Sequence, residues 1–157
     1  MNVKMTVYRL AVTVMMFAVI LVGATVCSAA AGDTERPAAL EECGDCHMVF
    51  PAQMLPGRSW TAILSKMDSH FGEEASIPEK ELDEIRNYLT SNAADSPNAS
   101  ARDRHYMSGI QPDSTPLRIT TTPWWNQMHA DFNFDGVRRS HVKSPANCLA
   151  CHKRGVR

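Results

Sequence analysis

The pentapeptide Cys43-Gly44-Asp45-Cys46-His47 recurs as Cys148-Leu149-Ala150-Cys151-His152. This repetition restricts what the chain can become more than any other feature. Two thiols in C-x-x-C spacing reach the two vinyl groups of one porphyrin and form thioethers. The histidine that follows swings beneath the iron as proximal ligand. Two copies therefore specify two covalent haem c groups, on Cys43, Cys46 and His47 and on Cys148, Cys151 and His152. The alternative is a four-cysteine zinc site, but a gap of about a hundred residues between its halves is far longer than zinc ribbons use. A redox-active disulfide would need a strand leading into a helix at Cys43, and the residues there give no such signal.

The chain opens like an exported protein. Lys4 and Arg9 precede an apolar run from Leu10 to Val26, and Ser28-Ala29-Ala30-Ala31-Gly32 supplies small residues. The expectation is a signal peptide over residues 1–31, cleaved after Ala31, and a bacterial periplasmic location. An uncleaved anchor is the alternative, although the apolar run is short for a membrane span. Cys27 belongs to the discarded segment, because Val26 is a poor residue for the position before a lipidated cysteine. The four remaining cysteines are all taken by the two motifs, which leaves no disulfide framework. A formal net charge of -1 argues against nucleic acid as a partner. Each half of the mature chain has about sixty residues, marginal for a core of its own. The porphyrins supply the missing apolar mass, and the apo-protein is expected to be largely unfolded.

Residues 32–92 form the expected first lobe. Asp33 or Thr34 caps a short helix through Ala38, Ala39 and Leu40, with Pro37 in its first turn. Met48 to Gly57 is loop. Ser59 is expected to cap a second helix whose Trp60, Ile63, Leu64 and Met67 make one apolar stripe. His70 continues that stripe and Gly72 closes the helix. A face that needs a haem to cover it makes His70 the candidate distal ligand of the first iron. Met54, in the loop, is its rival, and Met67 suits packing. Ser76 and Glu79 form an expected capping box ahead of a third helix, whose stripe is Leu82, Ile85 and Leu89, flanked by Tyr88.

Residues 93–116 read as a polar linker, with His105 a solvated histidine. The second lobe spans residues 117–157. Pro123-Trp124-Trp125 is a dense apolar patch suited to a porphyrin. Arg118 is either a propionate partner or a surface charge. Asp131 to Gly136 starts like a calcium loop, but Val142 stands where the bidentate glutamate is needed, so a turn is the better account. His129 lies one helical turn beyond Trp125 and shares its face, which makes it the candidate distal ligand of the second iron. His141 and His105 stay open as alternatives. Holding His105 costs chain entropy, and the tether from His141 to Cys148 is stiffened by Pro145.

Gly57-Arg58-Ser59-Trp60, His70-Phe71-Gly72-Glu73, Arg118-Ile119-Thr120, Pro123-Trp124-Trp125 before His129, and Asn147 to His152 together resemble the small bacterial dihaem cytochromes c. The resemblance implies a mainly α fold, with a monohaem-cytochrome-like helical N-terminal lobe and a smaller, loop-rich C-terminal haem lobe. It implies bis-histidine ligation at both irons, with His47 and His70 on one and His129 and His152 on the other. It also implies a periplasmic electron carrier between a membrane cytochrome b and a haem protein acceptor. The residues themselves point to electron transfer rather than an enzyme, since six-coordinate iron has no open position and no substrate site is evident. The alternatives are a haem enzyme or gas or peroxide sensor with one labile ligand, and an electron-entry subunit of a larger oxidoreductase. The acidic segment Glu73 to Glu84 and the basic tail Lys153, Arg154 and Arg157 are candidate docking patches.

Overall fold

The computed structural model describes residues 36–134 and 142–156. The expected signal peptide, the caps at Asp33 and Thr34, the turn at Asp135-Gly136, His141 and Arg157 lie outside them. The fold is mainly helical, and no strand is present among the described residues. Helix α1 spans Gly57–Leu64, α2 Glu79–Ser91, α3 Ala101–Arg104 and α4 Pro123–Met128. Short 3₁₀ segments join them, among them Ala38–Gly44 leading into the first motif and Cys148–Ala150 inside the second.

The core lies where α1 packs on α2. Trp60 and Leu64 from α1 meet Leu82, Ile85 and Leu89 from α2, with Leu40 and Leu55 closing the ends. The three-to-four spacing of these residues is what turns one apolar stripe of each helix to the other. The Trp60 indole N–H donates to the Ala52 carbonyl at 2.7 Å, so the largest core side chain leaves no orphaned donor.

Local signals account for some helix starts and not others. Helix α1 begins at Gly57 behind Pro56, and Ser59 is not its cap. Proline supplies a fixed φ where no N–H is needed, and Ser59 is instead wholly buried with its hydroxyl unpartnered. The expected box at Ser76 and Glu79 does not form either. Pro78 precedes α2, and Ser76 turns to Glu74. A capping box does form at Ser100 and Asp103, in the stretch expected to be a linker.

That stretch is packed. Ala93 and Ala94 are fully buried and Tyr106 is 5% exposed. The Ala94 N–H donates to the Leu55 carbonyl. Arg58 donates to the carbonyls of Ser114 at 2.6 Å and Gln111 at 3.2 Å, and pairs with Asp95 at 3.3 Å. Asp95 also accepts from the Gly57 N–H at 2.7 Å. Charge-assisted bonds of this kind fix a segment whose composition alone suggests freedom. Gly109, at φ 79°, passes so close to Pro123 that a Cβ there would lie 2.7 Å from the proline Cβ. The close approach sets the start of α4, and Asp33–Arg157 form one compact unit.

Candidate functional site

Two pairs of imidazoles face one another. Cys43 lies in the last turn of the first 3₁₀ segment, half-buried against the core, while Cys46 and His47 are exposed beyond it. His70 stands beyond the end of α1. The helix stops at Leu64, and a 3₁₀ turn at Met67–Ser69 carries the chain to His70. The turn 70–73 is then made by Phe71 at φ 55° and Gly72 at φ 104°, closed by a bridge between His70 and Glu73. Gly72 is therefore a turn residue and not a helix stop. The result sets the His47 and His70 rings 6.1 Å apart at 26°. Phe50 stacks on His47 and Phe71 meets His70 edge-on.

The second pair is built on α4. Thr122 caps this helix through its hydroxyl, with Pro123 in the first turn. One turn past Trp125, His129 stacks on the indole at 4.4 Å and 21°. His152 follows Cys151 directly. The His129 and His152 rings lie 6.2 Å apart at 78°. Between them opens a cleft of about 460 Å³ lined by both histidines, Cys148, Cys151, Trp125 and Met54. This volume lies within the range of about 300–1,000 Å³ usual for cofactor sites.

The donor chemistry fits iron at both places. A metal-bound imidazole nitrogen lies about 2.0–2.1 Å from the ion and its ring centroid about 1.1 Å further, so two rings on opposite sides have centroids roughly 6.3 Å apart. Both observed separations match. The Nδ1 of His47 lies 2.7 Å from the Met48 carbonyl and that of His129 lies 2.9 Å from the Trp125 carbonyl. A carbonyl only accepts, so Nδ1 carries the proton and Nε2 keeps a free lone pair, the tautomer a metal ligand needs. Burial, with the neighbouring His47, pushes the His70 imidazole below the ordinary histidine range and so favours its neutral form. Burial pushes the Cys43 and Cys148 thiols up.

Other sequence expectations fall elsewhere. Met54 does not approach the first pair. It is 5% exposed, packs with Ala94 and Tyr106, and forms part of the wall of the second cleft. Arg118 lies over the Phe71 ring at 4.2 Å. His105 is exposed, beside Ser108. Sequence reasoning gave no packing role to Phe134, which packs on Trp125 at 4.9 Å, or to Ile119, which packs against both cores.

The dihaem cytochrome c family profile matches residues 39–157. A diheme cytochrome c from Rhodobacter sphaeroides is 39% identical with a TM-score of 0.69, and the match covers 78% of this chain and 97% of that one. A second structure, of DHC purified from the same organism, is 37% identical with a TM-score of 0.61 over the same shares. A diheme cytochrome type c from Shewanella baltica OS155 is 27% identical with a TM-score of 0.57, covering 74% of this chain and 79% of its own. Among curated proteins there is no match. The repeated attachment motif, the facing imidazoles and this likeness together make the chain a member of the dihaem cytochrome c family, carrying two covalently bound haem c groups.

Proposed function

We propose that the protein is a periplasmic electron carrier and not an enzyme. In this reading Cys43 and Cys46 hold the first haem and Cys148 and Cys151 the second. His47 and His70 ligate the first iron, and His129 and His152 the second. The observation that carries the reading is the pair of imidazole separations, 6.1 and 6.2 Å, each suited to one six-coordinate ion. When bound, each haem supplies a reversible one-electron couple, lower in potential with two histidines than with a histidine and a methionine. The protein's part would be to hold each iron between two imidazoles, His47 and His70 or His129 and His152, which would leave a small substrate no place on the metal. Hydrogen bonds to Met48 and Trp125 hold one imidazole of each pair in the ligating tautomer. The partners are redox proteins. A membrane cytochrome b on one side and a haem protein on the other are those the family resemblance suggests.

Substitution of the two histidines outside the motifs tests this. His70→Ala should turn the first haem high-spin and able to bind carbon monoxide, with the second unchanged. His129→Ala should do the same at the second haem alone. Carbon monoxide binding by the unaltered protein would instead favour a ligand-binding haem protein.

A further inference from the structure

The residue after His70 is strained. Phe71 holds φ 55°, a left-handed conformation that a bulky side chain adopts only where its surroundings fix it. Two contacts hold its ring. Its edge meets the His70 imidazole at 4.9 Å and 72°, and the Arg118 guanidinium lies over its face at 4.2 Å. An aromatic face is negative and its rim positive, so the cation occupies the face that attracts it. The backbone beneath Arg118 is anchored. The Arg118 carbonyl accepts from the Thr121 N–H at 3.2 Å and from the Thr121 hydroxyl at 2.9 Å. Ile119 beside it packs against both cores. The carboxylates nearest His70 in sequence are Asp68, Glu73 and Glu74, and Arg118 forms an ion pair with no carboxylate among the described residues.

We propose that Arg118, acting through Phe71, positions the His70 ring and raises the potential of the first haem. The inference rests on the reading of His70 as a ligand of that iron. An ion held by His70 would lie within about 12 Å of the guanidinium. A fixed positive charge at that range favours the reduced, less positive metal. Phe71 carries both effects, because it seats the charge on one face and sets the imidazole plane with its edge.

The test uses the full holoprotein, haem-resolved redox titration and electron paramagnetic resonance of the oxidised form. Arg118→Gln should lower the reduction equilibrium constant of the first haem about threefold, which is about 30 mV at 59 mV per tenfold for one electron. The second haem should move less. Arg118→Lys keeps a cation for the ring and should restore most of the loss. Phe71→Asn suits the left-handed backbone and has no aromatic face. It should change the anisotropy of the first low-spin signal, and Arg118→Gln on that background should add little. A guanidinium bound to a haem propionate would instead act independently of Phe71. The proposal is overturned if Arg118→Gln leaves the first potential in place or shifts the second as much. It is overturned equally if the effects of the two changes add in full, or if the signal of Phe71→Asn keeps its anisotropy. Where Phe71→Asn takes up no haem, Arg118→Gln against Arg118→Lys decides alone, and equal shifts in both overturn it. Failure of His70→Ala to turn the first haem high-spin refutes the ligand reading itself, whatever Arg118 does.

Discussion

The two histidine pairs are nearly equal in separation and unlike in support. The first leans on a core of ten buried residues, from Leu40 to Ala93, in which helix packs on helix. Among the described residues the second has buried Met54, Ala94, Tyr106 and Val142 beside it, and a large cleft. The ring planes differ too, near-parallel at 26° in one pair and near-perpendicular at 78° in the other. The lesson is that one motif serves two kinds of surroundings, a packed helical core beside the first and an open cleft beside the second.

The strongest way to break this comparison is to remove one attachment at a time. Cys148→Ala with Cys151→Ala should abolish amide protection over residues 117–134 and 142–156 while leaving α2 protected. The matching change at Cys43 and Cys46 should leave measurable protection in α1 and α2. Equal collapse in both, followed by hydrogen exchange, would erase the distinction. A smaller effect is expected from Met54→Ala, which should cost about 2–4 kcal/mol as a buried methionine truncation. Although it lies in the N-terminal half, this change should alter the spectrum and potential of the second haem. Denaturant unfolding and haem-resolved redox titration would decide. A shift at the first haem would move Met54 back to the site where sequence reasoning put it. The subtlest test changes nothing in the protein. Near-parallel imidazoles split the two iron d-orbitals that overlap them, and perpendicular ones leave those orbitals nearly degenerate. Electron paramagnetic resonance of the oxidised protein should therefore give one rhombic low-spin signal and one strongly anisotropic signal. Two alike signals would mean that both pairs adopt one orientation.

Covalent chemistry with a fixed short spacing is legible in sequence, and the two motifs were readable for that reason, while the mainly helical fold was what the family resemblance implied. The stripes of α1 and α2 were readable because helical periodicity is local. His70 was placed by extending the α1 stripe, but the helix ends at Leu64 and a separate turn delivers the histidine. Caps were misassigned where two signals competed. Pro56 and Pro78 took the positions expected of Ser59 and of the Ser76 box. The side of the molecule to which Met54 belongs was not legible, since its neighbours Ala94 and Tyr106 are distant in sequence. The packed state of residues 93–116 was hidden for the same reason. Alanine, serine and asparagine suggest a linker until Arg58 is seen to hold it.

The wall shared through Met54 gives the molecule a direction in time. The buried residues of the first core run from Leu40 to Ala93, and of the side chains packed against it Ile119 alone comes from further on, so most of that core lies in the part of the chain made first. The second cleft needs Met54 from that part and His129, Cys148 and His152 from the part made last. A chain emerging from its N-terminus can close the first lobe early. It then offers the finished surface as a template on which the later residues assemble.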